Sequence, residues 1–482
     1  MNTITHPLVQ PRRPPAARRL ARVGEWLRTH AQVIRVLQWV VVAVYVVLLI
    51  VPALLPLPER GAHLWNNLTV AAEFAFWGIW WPFALLSMVL FGRLWCGVLC
   101  PEGTLTEWAS KHGRGRGVPR WMRWGGWPFV AFVCTTVYGQ MISVYQYPKA
   151  ALVVLGGSTV AAIVVGYLYT RGKRAWCRYL CPVNGVFGLL AKLAPMHYGV
   201  DEAAWRRSLA TEAEARRTIS VHRVKPKAVD CAPMLDLRHM QGASGCHMCG
   251  RCSGHHDAIA LQWRTPDLEV VEVAAREANR WQTALIVFGL LGVAIGAFHW
   301  SASPWFVAAK QAIATWLVDR DILWPLADNA PWWLLTHYPD QNDVLTWLDG
   351  ALLLGYIGAT ALVWGGLTLA LLALAVRLTG PWRTQRLHHL AQALIPLAGI
   401  GVFLGLSTIT LTLLRGEGVF APWAGDLRLV LLALASVWSL WLGWRILRQW
   451  RPGTRRTLLG LLPMVVALVW IDSAWGWLFW WW

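Results

Sequence analysis

The chain has 482 residues, 56% of them hydrophobic and 14% charged, with 35 tryptophans. That profile excludes an ordinary soluble globule and points to a membrane protein. The formal net charge of +19 would suit a nucleic-acid partner, but the basic residues cluster between apolar stretches, as in cytoplasmic loops, so nucleic acid is set aside.

Residues 1–35 form a basic, Pro-rich tail with no short apolar region of its own. The first apolar run is long enough to span and reads as a signal anchor, not a cleaved leader. A crossing helix needs about 20 apolar residues. Nine segments qualify: 36–57, 68–91, 125–145, 150–169, 282–300, 350–376, 389–414, 427–447 and 457–478. Arg12, Arg13, Arg18, Arg19, Arg22, Arg28 and Arg35 precede the first span, and Arg93, Lys111, Arg114, Arg116, Arg120 and Arg123 follow the second. Arg171, Lys173, Arg174 and Arg178 follow the fourth, Arg377, Arg383 and Arg386 the sixth, and Arg448, Arg451, Arg455 and Arg456 the eighth. The alternate loops carry only Arg60, Lys149, Lys310 with Arg320, and Arg415 with Arg428. This alternation predicts a cytoplasmic N-terminus, cytoplasmic cysteine motifs and an extracytoplasmic C-terminus.

The predicted fold is an all-α polytopic membrane protein of about nine transmembrane helices with a small ferredoxin-like cytoplasmic insert. A four-helix membrane domain over 36–195 precedes the insert, 196–281, and a second membrane domain of about five helices fills 282–482. Within it, the Trp-rich, Pro-broken segment 302–348 is expected outside the membrane, as helices lying at the interface.

Two copies of one phrase, R-x-W-C-x-x-L-C-P, end the two helical hairpins: Arg93 to Pro101, and Arg174 to Pro182. Cys96 and Cys100, like Cys177 and Cys181, are four apart, which puts both thiols on one face of a helical turn. Four such thiolates suit one [4Fe–4S] cluster or a soft metal such as Cu(I), and Arg93, Arg174 and Arg178 would offset a cluster's negative charge. A third group, Cys246, Cys249 and Cys252, has the C-x-x-C-x-x-C spacing of a ferredoxin. His256 stands where that run would place its fourth cysteine. Cys231 is favoured over His256 as fourth ligand, because iron centres prefer thiolate. Zinc is the competing structural reading, but its sites use two separate knuckles. Eight cysteines make two sets of four, leaving Cys134 as a small buried apolar residue.

Ionisable residues inside spans are functional candidates by default. Glu73, His299 and Asp472 are candidates for quinol protons, with simple solvation the competing reading at Glu73 and His299. His299 with His337 is a weaker candidate pair for a b-type haem. His388 and His389, beside Arg386, are expected to meet lipid headgroups.

With the phrases GRLWCGVLCPEG and CRYLCPVNG and the CHMCGRC run in hand, the chain resembles the membrane polyferredoxin family over roughly residues 36–256. That family includes the membrane quinol-oxidising subunit of periplasmic nitrate reductase systems, the nitrous oxide reductase maturation and electron-donor protein, and the FixG-type oxidase assembly proteins. The resemblance implies a bacterial inner-membrane iron–sulfur protein that passes electrons between a quinol or cytoplasmic donor and a redox partner protein, using one or two [4Fe–4S] clusters. It departs from the family's full four-cysteine runs at His256. The alternative reading is a copper-handling, metalloenzyme-assembly or regulatory membrane protein.

Overall fold

A computed structural model describes residues 15–59, 61–218, 229–451 and 453–481. Arg12 and Arg13 of the basic tail, and Arg60 of the first sparse loop, lie outside the described residues.

Helix α1 (Pro15–Thr29) leads into α2 (Ala31–Leu54), and α3 (Leu68–Phe91) returns. The first cysteine phrase follows, then α4 (Pro101–Lys111), α5 (Trp127–Met141) and α6 (Pro148–Leu168). The second phrase contains the short α7 (Ala175–Tyr179) and ends at α8 (Asn184–Ala191). Helix α9 (Glu202–Thr218) lies in the polar insert. The chain continues through α10 (Arg280–His299), α11 (Pro304–Val318), α12 (Trp347–Thr379), α13 (Thr384–Gly416), α14 (Ala424–Gln449) and α15 (Thr454–Trp481). Among the described residues, eight helices are long and apolar enough to cross a membrane: α2, α3, α6, α10, α12, α13, α14 and α15.

The remaining expected span, 125–145, is shorter than its apolar run. Its helix α5 has 15 residues, or about 22 Å against an apolar slab of about 30 Å. Residues 142–147 turn back instead of continuing, with Ser143 at φ 50°. Even so, its ends reach opposite ends of the bundle. Trp124 packs edge-on against Trp281 at the start of α10, centroids 4.8 Å apart. Tyr138, near the other end, donates to the Trp333 carbonyl at 2.6 Å. Between α10 and α12, the 302–348 segment forms one long helix, α11, tied to the start of α12 by the Lys310–Asp349 ion pair at 2.6 Å.

One buried core runs from Met88 through Phe187, Leu190 and Leu290 to Leu397, Met464 and Trp475. The segments 36–195 and 282–482 therefore share one apolar interior. At the arginine-rich end the insert folds around an antiparallel pair, β1 (Met196–Val200) and β2 (Ile259–Trp263), with Val200 opposite Ile259. The expected basic tail contains a packed element: Leu20 of α1 is buried with Tyr198, Leu261, Cys246 and Cys252.

Candidate metal centre

The two phrases share one local geometry. In each, the amide of the second cysteine reaches back five residues to the tryptophan carbonyl: Cys100 N to Trp95 O at 2.9 Å, and Cys181 N to Trp176 O at 3.0 Å. The wide turn that results buries Cys96 and Cys177, 7% and 6% exposed. The arginines then cross over. Arg93 donates to Asn184, three residues past Cys181, at 2.8 Å, and Arg174 donates to the Cys96 carbonyl at 2.5 Å. Each copy's arginine thus clamps the other copy.

Cys96, Cys100, Cys177 and Cys181 line one cavity of about 490 Å³, with Trp80, Trp95 and Trp176 among its walls. Burial pushes the Cys177 thiol up to about 12, and the neighbouring thiols add to the burial that raises Cys100 and Cys181. Thiols in such a place take up negative charge only with a cation to balance it. Arg93 supplies part of that balance, its guanidinium 3.8 Å from Cys96 Sγ, and Gly103 N–H points at Cys100 Sγ from 3.4 Å.

The third motif forms a separate set. Cys246 and Cys252 are buried with Tyr198 and Ile259, and Cys231 packs against the same cluster. Burial raises Cys246 to about 12, with further contributions from Cys249 and Cys231, so these thiols are electrostatic neighbours. Leu235 N–H points at Cys231 Sγ and Met248 N–H at Cys246 Sγ, each from 3.4 Å. His256 is engaged elsewhere: it bonds Ser208 at 2.8 Å and lies 4.7 Å from the Trp205 ring.

The two sets meet at one glycine. A Cβ on Gly97 would lie 2.0 Å from the His247 carbonyl oxygen and 3.1 Å from the Cys249 amide. Only a residue without a side chain lets the insert sit directly on the first phrase. The matching position of the second phrase is Arg178.

A buried carboxylate ties all three motifs together, and sequence reasoning missed it. Glu107, 5% exposed, receives Arg174 at 2.9 Å, Arg251 at 2.7 Å and Lys111 at 3.2 Å. Burial pushes its carboxyl up, but these cations outweigh burial and hold it at about 2. Replacing it with Gln leaves Arg174 buried without a counter-charge and is expected to cost about 3–5 kcal/mol, measured as a lower Tm of the purified chain. The carboxyl is depressed in the folded state, so its contribution is present above about 4.5, fades as pH falls, and is gone near 2. Acid titration of wild type against Glu107→Gln should converge over that window. Glu269 plays a similar part for the insert. It accepts from Ala243 N at 2.7 Å and from Arg264 at 2.5 Å, while Arg264 also holds the carbonyls of Ala191 and Ala194.

Other expected residues fall in several places. Cys134 is exposed, not buried, because α5 presents it along the rim of the thiol cavity. His389, expected among headgroups, is 2% exposed and bonds the Val270 carbonyl at 3.1 Å, anchoring the insert's last segment. His388 bonds Thr283 at 3.0 Å. Glu73 is half-buried and lines a small void with Phe76 and Trp77. Asp472 accepts from Ser436 at 2.8 Å within the bundle. His299 lies against Trp475, and His337 sits opposite Val344 in a two-residue pairing; neither placement argues for a haem.

Comparison with known proteins adds an independent finding. Residues 74–119 and 152–200 match the 4Fe–4S binding domain family. Each match contains one cysteine phrase, and the 231–252 group lies outside both. A curated protein of Escherichia coli (strain K12), YccM, named as a candidate electron transport protein, is 21% identical over 239 residues. The alignment covers 44% of this chain and 62% of that protein, so the chain spans about three-fifths of the length of the relative it matches. No solved structure matches the chain.

Proposed function

We propose that this multi-pass membrane chain, similar over both cysteine phrases to the 4Fe–4S binding domain family, relays electrons through two iron–sulfur centres near one membrane face. Cys96, Cys100, Cys177 and Cys181 would hold one centre, and Cys231, Cys246, Cys249 and Cys252 the other. The observation that carries the reading is convergence: two distant phrases bring four thiols to one cavity, and the third group docks on the first phrase at Gly97. When bound, such clusters supply one-electron steps at a potential set by charge, burial and N–H···S contacts. The chain provides all three, through Arg93 and Arg174, through the tryptophan walls, and through the amides of Gly103, Leu235 and Met248.

The thiol cavity continues past Trp80 and Trp81 to Val153 and Val154. That apolar extension favours a quinol dissolved in the bilayer as donor to the first centre, with the insert passing electrons to or from a redox partner protein. The arginine clusters favour an inner-membrane placement with N-terminus and both centres cytoplasmic and the C-terminus outside.

Oxygen-free purification with iron and sulfide counting tests the reading. About eight irons and eight sulfides per chain are expected, with EPR signals from two reduced centres. Zinc without inorganic sulfide, or labelling that places Cys96 and Cys246 on opposite membrane faces, would overturn it.

A further inference from the structure

A second cavity, of about 280 Å³, opens between α5, α8 and α10 at the same end of the bundle. Its charged lining is wholly cationic: Arg93, Arg178 and Lys192. Lys192 is 3% exposed, and its ammonium donates to the side-chain oxygens of Gln282 at 3.1 Å and Gln392 at 2.6 Å, both neutral. The guanidinium of Arg178 makes no hydrogen bond or ion pair with any described residue. Arg93 is 4% exposed, and its Nε is buried without a partner among the described residues. Hidden cations are costly unless a counter-charge reaches them. Arg93 shares its charge with the thiol cavity through Cys96, while Lys192, bonded to α10 and α13, feels the carboxylates of Glu269 and Glu277, neither of which lines the cavity.

The lining is otherwise suited to an anion. Gly125, Gly185, Gly188 and Gly245 leave room, and Asn184 adds a neutral amide. The mouth has the marks of a membrane–water boundary. Trp124 and Trp281 pack edge to face at 4.8 Å, and the guanidinium of Arg280 lies 5.1 Å from the Trp281 ring centroid. Indoles favour that level, and basic pockets between membrane helices there suit phosphate headgroups.

We propose that this cavity binds the headgroup of an anionic phospholipid, its phosphate among Arg93, Arg178 and Lys192 and its acyl chains along the half-buried face of α5. The inference does not require the chain to carry electrons. It is tested with the full chain purified in nonionic detergent and incubated with vesicles of phosphatidylcholine alone or mixed with phosphatidylglycerol. Lipid phosphorus retained after washing, and the shift in Tm, are the readouts. Wild type should retain about one phosphatidylglycerol per chain, and no phosphatidylcholine. Lys192→Gln and Arg178→Gln should each weaken retention about fivefold, and the pair more than twentyfold, while Arg178→Lys keeps most of it. Unliganded Tm identifies variants that fold. If Lys192→Gln does not, the comparison of Arg178→Gln with Arg178→Lys decides. Equal retention by wild type and a folded Gln variant would overturn the proposal. So would equal retention of both lipids, or inorganic phosphate alone producing the same Tm shift, which would mark a free-anion site.

Discussion

Replacing Cys246 with Ala is expected to lower bound iron from about eight atoms per chain to about four, with one EPR signal lost and the other retained. The two thiol sets sit in different surroundings, and the asymmetry follows from that. Cys246 and Cys252 are held by the insert, against Tyr198 and Ile259. Cys96, Cys100, Cys177 and Cys181 are walled by Trp80, Trp95 and Trp176. Removing one insert thiolate leaves those walls standing. Cys177→Ala should cost more than its own four irons, because Arg174 and Arg93 hold both sets: Arg174 joins Glu107, which holds Arg251 of the insert, and Arg93 donates to the Ser244 carbonyl. Cys231→Ala should match Cys246→Ala. His256→Ala should keep all eight irons, since that ring is spent on Ser208 and Trp205. If Cys231→Ala keeps eight irons and His256→Ala keeps four, the fourth ligand has been assigned to the wrong residue.

The sequence carries the spans and the motifs because both are local patterns. Twenty apolar residues, or a phrase repeated over nine positions, need no partner to be recognised. The alternation of arginines also put all three motifs at one end, and they do gather there, around Gly97 and Glu107. What it could not carry is long-range pairing. Glu107 and Arg251 stand 144 residues apart, and nothing near Glu107 marks it as the point where three motifs are joined. The same holds for Glu269 with Arg264, and for the crossed clamps of Arg93 and Arg174. Helix α1 was hidden by its own charge: Arg18, Arg19 and Arg22 read as a tail. Yet Leu20, Gly24 and Leu27 repeat at helical spacing, and a Cβ on Gly24 would meet Leu261 at 3.0 Å. Apolar composition continues past Met141, where the backbone turns, so the sequence predicts a longer α5 than forms. Arg386, near it in sequence, predicts a headgroup contact for His389, whereas its Nε2 faces the buried Val270 carbonyl.

Gly97→Ala is expected to have a strong effect for the smallest change in the chain. The added methyl would lie 2.0 Å from the His247 carbonyl oxygen, a backbone atom with no rotamer to yield. Contacts under 3.0 Å are essentially never seen for a real Cβ, so the insert must retreat by at least about 1 Å. Crowding of this kind costs about 1–3 kcal/mol. Here it falls between the two loops proposed to bear the clusters, so electron passage between them is expected to suffer beyond stability. The expected result is a chain that still binds the irons of the membrane set, shows a weaker magnetic interaction between its two reduced centres, and passes electrons from one to the other more slowly. Gly97→Arg, which copies the residue at the matching place in the second phrase, should abolish docking of the insert altogether. Rapid-freeze EPR of the reduced chain reads both effects, with iron content as the control for assembly. Unaltered coupling in a folded Gly97→Ala chain would mean that the two sets do not meet where His247 crosses the first phrase, and that electrons pass between them by another route.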